Sequence, residues 1–171
     1  KLLKDMGMVN TSFKIELYDS DIFLNKGRDK LLFNFSANKG GLIGPLSKTA
    51  SGGELSRIML ALKSILSNYK NLPTIIFDEI DTGVSGEIAN SIGRIMKSMS
   101  INMQVISITH LPQVAAKANN QFKVFKITRN EITYTELKKL NFNERVSEIA
   151  EMLSGDESAV SAYDLAKELL N

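Results

Sequence analysis

Two short segments separated by one predicted helix constrain this chain more than any other feature. The first is Ala-Ser-Gly-Gly-Glu-Leu-Ser-Arg at residues 50–57, and the second is the apolar run 74–77, which ends in the adjacent carboxylates Asp78 and Glu79. A serine and two glycines before a helix suit a phosphate, and paired carboxylates at a strand end suit Mg²⁺ and an attacking water. Together they predict one half of a site for a nucleoside triphosphate.

The length and composition of the chain favour a single domain that lies neither in a membrane nor in a secretory compartment. A chain of 171 residues, 43% of them hydrophobic and 23% charged, can bury one sizeable core and is too short for two ordinary domains. The formal charge of +2 is too small to argue for nucleic acid by itself, and the absence of cysteine is compatible with a reducing compartment. With no apolar run beyond strand length and no secretory signal, we expect a cytoplasmic protein away from membranes.

The spacing of the apolar residues predicts an α/β fold around a βαβ unit. Near-continuous β-branched runs at 74–77 and 103–109 are typical of parallel strands covered on both faces. A helix end closed by Gly7 opens the chain and favours a fragment of a longer protein. The other predicted elements are strands at 13–18 and 31–35 joined by a polar segment at 19–30, a helix after Ser51, a crossover helix capped by Ser85, a hairpin at 121–127 and 132–137, and helices at 143–153 and 158–170.

The serine-glycine motif is the candidate phosphate site. If Ser51 caps the following helix, the N–H groups of Gly52 and Gly53 are left unpaired at the positive end of the helix dipole. Neither glycine carries a side chain, so an anion can approach both N–H groups. The alternative is a glycine-rich turn before an ordinary capped helix.

Three polar side chains follow the two predicted parallel strands. Of Asp78 and Glu79, one carboxylate can hold the Mg²⁺ shell while its neighbour polarises a water for attack on a γ-phosphate. His110, the single histidine, follows the second strand and can donate to a terminal phosphate or orient the water. The alternatives are an acidic turn at a strand end and a surface histidine before a proline-containing loop.

The lysine loop that usually cradles a nucleotide's phosphates is missing. No Gly-x-x-x-x-Gly-Lys-Ser/Thr segment occurs in the chain. The segment 41–49 comes near it, but no glycine precedes its lysine and Pro45 removes an N–H donor. The segment 153–156 echoes the serine-glycine motif, lacks the second glycine and fits a helix C-cap. The other half of the site must come from elsewhere.

Together these motifs resemble the C-terminal lobe of an ABC-type ATPase head, a P-loop fold with a mainly parallel sheet flanked by helices and antiparallel edge strands. The signature motif corresponds to Ser51–Glu54, Walker B to Ile75–Glu79 and the switch histidine to His110. Within that superfamily the chain resembles, over nearly its whole length, the RecN family of bacterial DNA-repair ATPases related to the SMC proteins. The segments that carry this resemblance are 35–38, 50–63, 77–86 and 109–115.

The resemblance implies a role for each residue. Asp78 would position Mg²⁺, Glu79 would be the general base or orient the water, and His110 would sense the γ-phosphate of ATP. The signature residues, which include Glu54, would close over ATP held by the opposite head of a homodimer. Asp81 would support the loop that crosses that dimer.

The resemblance also implies partners and a division of the chain. Residues 1–8 would end a coiled-coil arm, and residues 9–171 would form the C-terminal lobe, whose N-terminal Walker A lobe is absent. The full-length protein would use ATP and Mg²⁺ in recombinational repair of DNA double-strand breaks, associated with the bacterial nucleoid. The isolated fragment would be inactive.

Two departures and two alternatives stay open. Ala50 stands where many signatures have leucine, and Ser85 stands where related heads usually carry a loop aspartate, which puts the cross-dimer hydrogen bond of that aspartate in doubt. The nucleotide-binding subunit of an ABC transporter shares the three motifs, although a proline usually follows its Walker carboxylates and Ile80-Asp81 follows them here. A non-catalytic dimerisation or DNA-docking module is the other alternative.

Overall fold

A computed structural model describes residues 1–67, 69, 72–155 and 160–171. It confirms the predicted α/β class, with a parallel pair of strands and two antiparallel sheets. The chain divides into a first unit of residues 1–71 and 80–84 and a second unit of residues 72–79 and 85–171. The elements are α1 (Leu2–Asp5), β1 (Ser12–Leu24), β2 (Gly27–Ser36), β3 (Gly44–Pro45), α2 (Leu46–Thr49), α3 (Gly52–Ser67), β4 (Thr74–Asp78), α4 (Gly86–Met99), β5 (Gln104–Ile108), α5 (Pro112–Ala115), β6 (Phe122–Arg129), β7 (Ile132–Lys139), α6 (Phe142–Ser154) and α7 (Val160–Leu170).

The long antiparallel hairpin β1–β2 opens the first unit. The polar segment 19–30, predicted as a connection, is mostly strand, because β1 continues to Leu24 and β2 begins at Gly27. Arg28 holds this extension together. Its Nη2 lies 3.0 Å from Oδ2 of Asp19, and its Nε donates to the Ser20 carbonyl oxygen at 2.9 Å. These cross-strand contacts add to the backbone pairing of Asp19 with Asp29 and of Leu24 with Gly27.

A small apolar core fixes α3 in the first unit. Ile58 of α3 packs with Phe35 of β2 and with Met8, and all three are buried. Leu3 of α1 packs against the same cluster. The helix predicted after Ser51 is thus confirmed as α3, and its position depends on a strand and on the first residues of the chain.

The second unit contains the predicted βαβ arrangement, in which β4 and β5 pair in parallel and α4 joins them. The prediction that both strands are covered on both faces is wrong for the described residues. Phe77 is 6% exposed, whereas Ile76, Ile106 and Ile108 are 63%, 42% and 54% exposed. Helix packing covers one face of this pair and leaves large apolar side chains bare on the other.

The hairpin β6–β7 and the helices α6 and α7 complete the second unit. The hairpin turns at Asn130 and Glu131, whose φ angles of 50° and 64° match the twist of a tight two-residue turn. Gly155 ends α6 with φ of 68°, as predicted for a glycine C-cap. Asp156 and the predicted start of the last helix at 158 lie outside the described residues.

Asn141 caps α6 through a reciprocal pair of hydrogen bonds. Its side chain accepts from the Glu144 N–H at 3.0 Å, and the Glu144 carboxylate accepts from the Asn141 N–H at 2.9 Å. The Lys138 ammonium and this backbone hydrogen bond lower the pKa of Glu144. The stabilising charge on Glu144 is therefore present above the unfolded pKa and is lost as pH falls through the lower folded value.

Replacing Asn141 with alanine is expected to lower the free energy of unfolding by about 1 kcal/mol, because alanine leaves the first N–H groups of α6 without an acceptor. Urea denaturation at neutral pH measures this loss. Asn141→Asp is the matched control, since aspartate keeps the capping oxygen. An equal loss in both variants would contradict the capping role.

Candidate functional site

The signature motif begins α3 with a capping box. The Ser51 N–H donates to Oε2 of Glu54 at 2.8 Å, the Ser51 hydroxyl donates to the same oxygen at 2.9 Å, and the Glu54 N–H lies 3.4 Å from the Ser51 Oγ. The Ser51 capping role is therefore confirmed in its reciprocal form. The N–H groups of Gly52 and Gly53 lie in the first turn, where a helix supplies no acceptor. For a phosphate to accept from the Ser51 hydroxyl, that hydroxyl must rotate away from Glu54.

The first turn of α3 lies against the loop 80–84 of the same unit. A Cβ atom added at Gly53 would lie 3.4 Å from the Thr82 carbonyl oxygen and 3.4 Å from Nη1 of Arg57. In this loop Asp81 is only 1% exposed. A carboxylate buried to this extent is not open to direct contact with a nucleotide, and the predicted role of Asp81 in supporting this loop stays a prediction.

Asp78, Glu79 and His110 lie at one edge of the parallel pair in the second unit. Asp78 is opposite Ile108 in the strand register, and the Glu79 N–H donates to the Ile108 carbonyl oxygen at 3.1 Å. His110 follows Ile108 by two residues, and the three candidate side chains are all exposed. Their catalytic roles stay predictions, while their shared edge follows from the backbone pairing.

Glu79 has a left-handed backbone conformation, with φ of 47°. This region costs a residue with a Cβ atom about 1 kcal/mol or more, and such residues cluster at functional sites. The conformation turns the chain directly after β4. A functional role for this carboxylate would explain why the strain is retained.

The carboxylates fit a magnesium–nucleotide complex better than a resident metal. Among the described residues no group of three histidine, aspartate or glutamate side chains could hold a metal ion. Mg²⁺ in nucleotide sites needs one or two carboxylates, with phosphate oxygens and waters as the other ligands. Asp78, exposed at the end of β4, can supply such a ligand.

Three of the five basic residues of the hairpin β6–β7 pair with neighbouring carboxylates. Lys123 lies 2.5 Å from Glu148 and 2.9 Å from Glu151, and these hydrogen bonds raise the pKa of its ammonium group. The ion pairs Lys138–Glu144 and Arg129–Glu136 neutralise two more cations. These ion pairs reduce the positive charge that the hairpin could offer to a nucleic acid. Within the described part of the chain, no helix is both long and apolar enough to cross a membrane.

Sequence reasoning missed Arg145 of α6. Its guanidinium donates to three oxygens in the segment 116–121, which lies 24 to 29 positions earlier in the chain. A local pattern search has no means of finding such a contact. The segment follows α5, the helix that begins just after His110.

The chain is similar in sequence to bacterial DNA repair proteins called RecN. It is 45% identical over 169 residues to the DNA repair protein RecN of Rickettsia typhi, in a match that covers 99% of this chain and 30% of the relative. The chain thus spans less than a third of the relative's length. No family model matches the chain.

Solved structures of SMC proteins share its fold. One, from work on ATP-driven dimerization and DNA-stimulated activation of SMC ATPases, has a TM-score of 0.55 at 18% identity and covers 90% of this chain and 91% of its own. Another, the Smc head domain with a coiled coil and joint from Pyrococcus yayanosii, has a TM-score of 0.61 at 18% identity and covers 99% of this chain and 28% of its own. The chain therefore has the fold of part of an SMC head domain.

Proposed function

We propose, from the homology of this chain to RecN over 99% of its length, that it is the C-terminal lobe of an ABC-type ATPase head. Residues 9–171 form the lobe, and residues 1–8 end a coiled-coil arm. The observation that carries the proposal is the common edge of Asp78, Glu79 and His110 at the ends of two paired parallel strands. The complete protein acts in the cytoplasm in recombinational repair of DNA double-strand breaks.

Each residue at this edge has a separate task in hydrolysis. Bound ATP and Mg²⁺ supply the reacting phosphoryl group and the neutralising charge. Asp78 ligates the Mg²⁺, while Glu79 orients the attacking water and accepts its proton. His110 donates a hydrogen bond to the γ-phosphate, and so responds to the presence of the triphosphate.

The N-terminal lobe of the same protein supplies the lysine loop that this chain lacks. The bare apolar face formed by Ile76, Ile106 and Ile108 supports this, because a large partner is needed to cover it. The signature residues Ser51–Glu54 act in trans, on ATP held by the opposite head of a homodimer. Asp81 supports the loop that crosses this dimer. DNA is a partner of the full-length protein.

The proposed function is tested by measuring Mg-ATP hydrolysis by this chain alone and by this chain joined to its N-terminal lobe, called the joined protein below. We expect hydrolysis only by the joined protein, because the isolated chain has no lysine loop. The N-terminal lobe alone is the matched control and should also be inactive. Hydrolysis by the isolated chain at the rate of the joined protein would contradict the split head.

A further inference from the structure

Arg145 connects α6 to the segment that leads out of α5. Its Nη2 donates to the carbonyl oxygens of Ala118 at 2.8 Å and Ala116 at 3.3 Å, and its Nε donates to Oε1 of Gln121 at 3.3 Å. The last carbonyl groups of a helix have no partner within that helix. Arg145 therefore satisfies acceptors that α5 and its exit would otherwise leave unpaired.

A glycine of α4 lies close to the backbone of α5. A Cβ atom added at Gly93 would lie 3.2 Å from the Gln113 carbonyl oxygen and 3.4 Å from Cα of Val114, so the two helices approach at backbone distance. Val114 itself is 5% exposed. The short helix thus packs against α4, and the segment that follows it is bound by the Arg145 guanidinium.

The position of α5 determines the position of His110. The Leu111 N–H donates to Oγ1 of Thr109 at 3.0 Å, which forms a tight turn around the histidine. Pro112 then begins α5, and its ring restricts the backbone there. Because only Leu111 separates His110 from α5, a shift of that helix should also move His110.

Burying the charged guanidinium of Arg145 against neutral acceptors costs free energy of desolvation. Among the described residues the three acceptors of Arg145 are neutral, the side chain is half-buried, and burial lowers the pKa of its guanidinium. A partly desolvated cation without a carboxylate partner costs free energy that an apolar side chain would not. The planar fork of arginine offers in return several donors in a fixed geometry, which orients a loop better than packing alone.

We propose that Arg145 is a positioning residue for His110, holding the exit of α5 so that the preceding loop presents the histidine to the γ-phosphate. This inference rests on the proposed function and adds to it a residue outside the known motifs. Arg145 acts through His110 and does not itself contact nucleotide. Its loss should therefore affect turnover only where His110 is present.

The test is a double-mutant cycle in the joined protein with Arg145→Gln, His110→Ala and their combination. We expect Arg145→Gln to lower kcat about tenfold, because small misplacements of a catalytic group have large effects on rate. KM for ATP should change by less than about twofold, because only the contact of His110 with the γ-phosphate is disturbed and the other proposed nucleotide contacts are untouched. In the His110→Ala background, Arg145→Gln should have no further effect on kcat. Arg129→Gln, which removes an exposed ion pair on the second hairpin, is the control.

Melting temperatures of the variants, and a second substitution at Arg145, distinguish an effect on the position of His110 from an effect on folding. Arg145→Lys keeps the charge but not the fork, so it replaces Arg145→Gln in the cycle if the glutamine variant does not fold. Independent, multiplicative effects of Arg145 and His110 on kcat would overturn the inference, as would the failure of both Arg145 variants to fold. Either result would leave the proposed function intact. The proposed function fails instead if the joined protein still hydrolyses ATP at its original rate after Glu79→Gln.

Discussion

Replacing Glu79 with glutamine is expected to lower Mg-ATP hydrolysis by the joined protein by at least about 100-fold, the usual loss when a general base is removed. Glutamine has nearly the same shape but cannot accept a proton from the attacking water. The Glu79 N–H bond to the Ile108 carbonyl oxygen involves only backbone atoms and should survive. ATP binding should therefore persist, and the dimer should accumulate with nucleotide bound.

Two measurements on the same preparation check this expectation. Phosphate release gives the rate of hydrolysis, and equilibrium binding of ATP gives the affinity. Glu87→Gln is the matched control, because Glu87 is an exposed carboxylate that pairs with Arg94 at 2.7 Å on α4, outside the proposed site. Similar rates for the two variants would show that Glu79 is not the residue that activates water.

The second large effect is expected from mixing two inactive variants. Gly53→Asp should abolish hydrolysis, because it puts a negative charge at the proposed phosphate site and adds a side chain whose Cβ would lie 3.4 Å from the Thr82 carbonyl oxygen. Each site of the proposed dimer takes Glu79 from one head and Gly53 from the other. A mixed dimer of Glu79→Gln and Gly53→Asp subunits therefore has one doubly defective site and one intact site.

An equal mixture of these variants should regain roughly one quarter of the original activity, because half of the dimers are mixed and each has one working site of two. The control is each variant mixed with itself, which should stay inactive. If the signature acts on ATP held by its own subunit, no combination contains an intact site. Continued inactivity of a mixture shown to exchange subunits would then rule out the trans arrangement.

The features predicted well from the sequence depend on residues close together in the chain. Ser51 caps α3 through Glu54, three positions away, and Gly155 ends α6 because glycine adopts the left-handed conformation at low cost. The parallel pairing of β4 with β5 follows from two apolar runs on either side of an amphipathic helix. Local hydrogen bonds and residue periodicity determine these features, so they can be recognised without a structure.

Other features depended on contacts between elements that local residue patterns do not show. The polar segment 19–30 forms strand through the pairing of β1 with β2, to which the contacts of Arg28 with Asp19 and Ser20 add. The exposure of Ile76 could not be predicted from the sequence, because an apolar residue gives the same sequence pattern whether or not a neighbouring element covers it.

The amino-acid sequence by itself predicted the type of chemistry and the shared edge of the sheet at which the candidate residues lie. Motif residues act through their own functional groups, and the ends of parallel strands necessarily share one edge. Only the tertiary structure decided that Glu79 has a left-handed backbone, that Asp81 is buried, and that Arg145 holds the exit of α5. Burial, strain and long-range hydrogen bonds result from packing between distant segments, which local sequence patterns do not encode.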